Sequence, residues 1–123
     1  MPFIRTTTNR PVEKSTADKI TAACGQAITL LRGKTEQWLM VEVKGDAALY
    51  FAGSDAPCAF TEVQLLGKGN PTELENLTAE LTKILSAALD IPGDRIYVRY
   101  EEVTHWGWRG GHFCVLLLSL PIW

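Results

Sequence analysis

This chain of 123 residues has no long apolar run, no large excess of either charge and few histidines and cysteines. It carries 12 basic and 14 acidic residues, a formal net charge of −2, with no Lys/Arg block. A duplex-binding module draws its affinity from neutralising phosphates, so nucleic acid is not an expected partner. The greasiest stretch, Phe113 to Leu118, continues through Ser119 to Trp123. That is far short of the ~20 residues needed to span a bilayer, and no membrane partner is expected. The three cysteines, Cys24, Cys58 and Cys114, are widely spaced and form no C-x-x-C pair. They make neither a secreted disulfide framework nor a structural zinc site. His105, His112 and Cys114 are three potential ligands at irregular spacing without a fourth, so no metal site is expected. Gly67-Lys68-Gly69-Asn70 lacks the spacing of a phosphate-binding loop, and no serine sits in a nucleophile elbow. Met1-Pro2-Phe3-Ile4-Arg5 passes directly into polar Thr6 to Arg10 without the apolar core of a signal peptide, which makes a cytoplasmic location the expectation.

What is present has the balance of one soluble domain, 46% apolar and 21% charged. Phe3 to Thr8 is rich in β-branched residues and predicts a strand, broken at Asn9-Arg10-Pro11. Ser15 with Asp18 three residues on resembles a capping box. Ala17, Ile20, Cys24, Ala27, Ile28 and Leu31 follow at helical spacing, and Gly33 is placed to end that helix in the left-handed conformation. Trp38 to Lys44 predicts a second strand, with a turn at Gly45-Asp46. A short hairpin strand fits near Ala47 to Phe51. The plan then repeats. Ala59 to Leu66 is strand-like and stops at Gly67. Asn70-Pro71-Thr72-Glu73 combines a capping Asn, a first-turn Pro and an acid, a strong helix start. Leu74, Leu77, Leu81, Ile84, Leu85 and Ala88 form its stripe, and Arg95 to Tyr100 alternates as a strand.

Two β-α-β units with one apolar face per helix predict an α+β sandwich, two helices on one side of a four-stranded mixed sheet. Ile4, Leu39, Val41, Val43, Ile96 and Val98 suggest that the uncovered sheet face is not wholly polar, which predicts self-association.

An ordered set of fragments then becomes recognisable: Met1-Pro2-Phe3-Ile4, Thr8-Asn9, Gly33-Lys34, Gly53 to Ala59, Leu66-Gly67, Pro92 to Tyr97 and Trp106-Gly107-Trp108. The chain resembles the macrophage migration inhibitory factor family of the tautomerase superfamily over residues 1–113, read as one domain, with 114–123 as an apolar C-terminal extension. The resemblance implies a homotrimer with active sites between subunits, and keto–enol tautomerisation of phenylpyruvate-like 2-oxo acids without a cofactor. Pro2 matches the family's catalytic proline, freed when Met1 is trimmed. Such a base must be neutral near pH 7; an α-amine starts near pKa ~8, and desolvation or neighbouring cations lower it.

The same resemblance gives Lys34 the substrate carboxylate, although a lysine at a helix C-terminus is also stabilising in its own right. Leu66 matches a residue whose backbone N–H bonds the ligand; it equally ends a buried strand. Tyr97 and Arg99 project from one strand face, and the resemblance places both on the pocket wall of a neighbouring subunit. The best-known member has Asn in place of Arg99, whereas the D-dopachrome tautomerase branch has the Arg but lacks the Tyr. A second cation favours anionic substrates, because guanidinium grips carboxylate bidentately. Trp106 and Trp108 either line the pocket or pack at the trimer seam, the seam being favoured for Trp108. The family's C-x-x-C is here Cys58-Ala59-Phe60-Thr61, so thiol oxidoreductase chemistry is not inherited. The family's usual ending has become Arg109-Gly110-Gly111-His112-Phe113. The tail beyond predicts a strand or arm on a neighbouring subunit; covering the site or presenting a partner surface are the alternatives. Two further readings accompany the tautomerase: a cytokine-like protein binding a host receptor, secreted without a signal peptide, and a Pro-based hydratase or dehalogenase of small unsaturated acids.

Overall fold

The computed structural model describes residues 1–115. Six strands and two α-helices follow in the order β1 (Pro2–Thr8), α1 (Lys14–Ala27), β2 (Met40–Lys44), β3 (Ala59–Leu66), α2 (Pro71–Leu89), β4 (Ile96–Val103), β5 (His105–Trp108) and β6 (Gly111–Cys114). The main sheet has the order β2-β1-β3-β4. The β1–β2 and β3–β4 pairs are parallel, and β1–β3 between them is antiparallel. This is the predicted tandem β-α-β sandwich, with both helices on one face.

That face holds the core. Ile4, Val63, Leu65, Ile20, Ile28, Leu77, Leu81, Leu85 and Ile91 are at most 1% exposed. Val41, Val43, Leu39 and Val98 pack against the same cluster. The expectation that they give the uncovered face apolar character is therefore corrected. A strand buries one face, and the alternating apolar set of each strand goes to the helices. The open face carries the other set: Phe3, Arg5, Thr7, Met40, Glu42, Lys44, Phe60, Glu62, Gln64, Tyr97, Arg99 and Glu101. Buried polar atoms on the helix side are matched across strands, Thr6 Oγ1 lying 2.9 Å from Thr61 Oγ1.

Helix α2 starts as predicted, Asn70 Oδ1 accepting from the N–H groups of Thr72 and Glu73 at 2.9 and 3.2 Å. Helix α1 does not. Its N-cap is Glu13, without a side-chain cap, and Ser15 lies inside the first turn. Asp18, the other half of the expected box, pairs with Lys14 at 2.9 Å instead. Gly33 is left-handed at φ 80°, but α1 ends earlier and continues as a 3-10 turn over Ile28–Leu30. Lys34 N–H then closes the turn on Leu31 O at 3.0 Å. Trp38 also falls outside β2, in a 3-10 turn over Glu36–Trp38. In place of a strand near 47–51 there is a single bridge, Phe51 with Ser54.

That segment is held by side chains. Asn9 Nδ2 donates to the carbonyls of Leu49, Asp55 and Ala56 at 3.0–3.1 Å, and Asn9 Oδ1 accepts from Cys58 N–H at 3.0 Å. Arg95 adds bonds to the carbonyls of Ser54, Ala56 and Pro57. The β5–β6 hairpin, which is not among the expected strands, turns on Arg109 and Gly110, both at positive φ. Consecutive left-handed residues are what a two-residue hairpin turn requires. Val115 N–H donates to Thr104 O beyond the hairpin. From residue 116 on, the expected extension lies outside the described residues.

Candidate active site

Pro2 opens β1, buried, opposite Leu65 of β3. Met1 before it is only 4% exposed. Its amine is lowered from 8.0 to about 5, first by burial and then by the charge of Lys34. Lys34 reaches this place because the turn after the 3-10 segment folds its side chain inward, leaving the residue 6% exposed. Its Nζ has no hydrogen-bond partner among the described residues. Burial pushes it down from 10.5 to about 8. An isolated ammonium in such surroundings is costly unless an anion joins it. Leu66 is fully buried at the end of β3, sharing with Lys34 a small cavity that Leu31 and Leu65 also line.

A larger cleft of about 460 Å³ opens beside Pro2. Its walls include Met1, Trp38, Gln64, Trp106 and Trp108. Trp38 and Trp108 meet edge to face, ring centroids 4.7 Å apart. Met1 thus belongs to the cleft while its amine feels Lys34, which makes the N-terminal residue the link between the two spaces. The structure therefore brings Pro2, Lys34, Leu66 and Trp106 to one end of the sheet.

Tyr97 and Arg99 lie elsewhere. Tyr97 is opposite Phe60 and Arg99 opposite Glu62, five and three residues along β3 from the Pro2–Leu65 row. At ~3.3 Å per residue that is about 17 and about 10 Å along the strands. Tyr97 is 60% exposed, with its ring 5.0 Å from that of Phe51. Arg99 Nη1 donates to Glu62 at 2.6 Å and to Glu101 at 3.1 Å. Neither lines the cleft of its own chain.

The sequence pattern does not mark Trp38 or Gln64 as site residues. Trp38 resembled the start of a strand, and Gln64 an ordinary polar position in an alternating one. The clue to Gln64 is that alternation itself, which places it with Phe3 on the open face at the Pro2 end. Trp108, expected at a seam, lines the cleft. On the hairpin, His105 Nδ1 lies 2.9 Å from His112 Nε2; no group of three or more metal-ligating side chains is assembled among the described residues.

A family model described as macrophage migration inhibitory factor matches residues 1–114. The macrophage migration inhibitory factor homolog of Trichuris trichiura is 30% identical over 115 residues, covering 92% of this chain and all of the relative. The Mus musculus macrophage migration inhibitory factor is also 30% identical, over 92% of this chain and 99% of its own length. Among solved structures, Leishmania major MIF2 superposes with a TM-score of 0.87 at 29% identity, over 92% of this chain and 97% of that one.

Proposed function

Since the chain belongs to the macrophage migration inhibitory factor family, we propose that it is a cofactor-independent keto–enol tautomerase of phenylpyruvate-like 2-oxo acids, with Pro2 as its base once Met1 is removed. The observation that carries this reading is the placing of Pro2 in the wall of a tryptophan-lined cleft, next to a Met1 amine that feels the charge of Lys34, itself buried and without a hydrogen-bond partner among the described residues. Loss of Met1 frees a secondary amine and empties the space between the cleft and Lys34. The substrate carboxylate then occupies that space against Lys34, and its aromatic ring lies toward Trp106.

The reaction needs one proton moved from oxygen to carbon. The enol O–H proton passes to the Pro2 nitrogen, and the electron pair of that O–H bond becomes the carbonyl π bond. The C=C pair takes a proton from the Pro2 ammonium at C3, which restores the neutral amine. The pyrrolidine ring fixes the direction of the nitrogen lone pair, so little orientation is lost on binding. Burial and the Lys34 charge together lower the Met1 amine; a Pro2 amine freed one residue further on meets the same two influences, which favour its neutral form.

In this reading Tyr97 and Arg99 complete the site from a neighbouring subunit of a homotrimer, as the family resemblance implies; that neither lines the cleft of its own chain is compatible with it. The test is enol-to-keto conversion of phenylpyruvate followed by ultraviolet absorbance, wild type against Pro2→Gly, with intact mass confirming removal of Met1. The expected result is a wild-type rate that falls about 100-fold or more in the variant. A correctly trimmed wild type without activity would overturn the proposal.

A further inference from the structure

On the open face, the register aligns Glu42, Arg5, Glu62 and Arg99 on β2, β1, β3 and β4. The charges alternate across the sheet and the contacts follow. Arg5 Nη1 lies 4.0 Å from Glu42 Oε1, and Arg5 Nη2 donates to Glu62 Oε1 at 3.1 Å. Gln64 Nε2 donates to that same oxygen at 3.2 Å. The other oxygen, Oε2, accepts from Arg99 Nη1 at 2.6 Å. Glu62 is thus fixed by three donors, its side chain only 15% exposed although it lies on the open face.

Both acidic partners of Arg99 use one nitrogen. Nη1 carries two N–H groups, and Glu62 and Glu101 account for two bonds to it. The Nε–H and the two Nη2–H groups have no acceptor among the described residues. Nε and Nη2 form one of the edges on which guanidinium pairs bidentately with a carboxylate. A long side chain left free on a sheet surface samples many rotamers, and ordering it weakens binding.

We infer that Glu62 is a positioning residue: with Glu101 it clamps Arg99 by Nη1, so that the Nε/Nη2 edge is presented to the carboxylate of a 2-oxo acid in a neighbouring subunit's cleft. The inference rests on the site proposed above. The opposite role, Glu62 as a competitor for Arg99, is disfavoured because Arg5 and Gln64 hold the other carboxylate oxygen in place. As a positioning residue, Glu62 acts on KM and not on the proton transfer at Pro2.

The test is phenylpyruvate tautomerase kinetics in Glu62→Gln, Arg99→Asn and the double variant, with thermal unfolding of each. Glu62→Gln is expected to raise KM about 3- to 10-fold, with kcat within about twofold of wild type. In the Arg99→Asn background the same change is expected to add nothing, an outcome that general loosening of the sheet would not produce. Glu101→Gln, which removes the second anchor, carries the test if Glu62→Gln does not fold, with a smaller rise under the same dependence on Arg99. An unchanged or lowered KM, or a rise that persists without Arg99, overturns the inference. An Arg99→Asn enzyme with wild-type KM instead removes Arg99 from the proposed site, so the two failures are told apart by that single variant.

Discussion

The α-amine of Met1 lies near enough to Lys34 to feel its charge, in a buried region where neither has an acidic partner among the described residues. Burial already disfavours both cations, and the Lys34 charge disfavours the amine further, down to about 5. A Pro2 amine freed by loss of Met1 would stand beside the same lysine, whose uncompensated charge would favour the neutral base and attract an incoming anion.

The pH profile of kcat/KM is set by Lys34 and the Pro2 amine that loss of Met1 exposes. A base must be neutral, so activity falls as the pH drops through the pKa of the Pro2 amine, a limb that burial and the Lys34 charge are expected to move downward as they do for the Met1 amine. Lys34 binds a carboxylate only when charged, so a basic limb is expected near its value of about 8. Lys34→Met removes the charge that lowers the amine. Its acid limb therefore moves to higher pH, while KM for phenylpyruvate rises about tenfold or more. Rates measured between pH 4 and 10 check both shifts.

Stability should carry the same signature. Lys34 has a folded-state pKa of about 8 against an ordinary 10.5. Between those values the unfolded chain binds the extra proton, so the Lys34 contribution makes stability rise with pH from about 8 to about 10.5. Cys24 opposes it at the upper end, because burial raises its thiol from 9.0 to about 11 and stability falls through that range. The informative quantity is the difference between wild type and Lys34→Met in urea unfolding at several pH values. The wild-type curve is expected to gain on the variant as pH rises above about 8.

Much of the fold was readable because both β-α-β units write their periods plainly: Leu77, Leu81 and Leu85 at helical spacing, and Ile4, Val41 and Val98 in alternation. The alternation did not say which set faces the helices. That choice depends on packing between elements, and the apolar residues were placed on the wrong face. The start of α1 was misread because Asp18 has a local competitor, Lys14, at the spacing of an ion pair. Of the site residues, Pro2, Lys34, Leu66, Tyr97, Arg99 and Trp106 entered through the family resemblance. Nothing local marks a proline at position 2, the alternation of β3 gives Gln64 a face but not a cleft, and Trp38 joins it only through the tertiary fold.

Asn9 is expected to be the most sensitive polar residue of the loop that supports Tyr97. Its amide satisfies three carbonyls and one N–H in the 49–58 segment. Asn9→Ala leaves those groups without their partner and is expected to destabilise the chain by about 2 kcal/mol. Asn70→Ala removes only the cap of α2, at about 1 kcal/mol. Denaturant unfolding ranks the two; equal losses would mean that the loop finds other partners.

Retention of Met1 should abolish tautomerase activity while leaving the fold intact. With Met1 in place, the Pro2 nitrogen belongs to an amide and has no basic lone pair, and the Met1 side chain contributes to the cleft wall. The one amine at the N-terminus is then primary and sits one residue away from the required position. Protein prepared in cells deficient in methionine aminopeptidase, with mass verifying the extra residue, is expected to unfold at nearly the same temperature as the trimmed form. Its phenylpyruvate turnover should be lower by about 100-fold or more, the effect of losing a positioned base. Treating that sample with the aminopeptidase should restore the rate in step with the mass loss. Equal activity before and after trimming would take the catalytic role away from Pro2, leaving Lys34 as the remaining nitrogen with a lowered pKa at this end of the sheet.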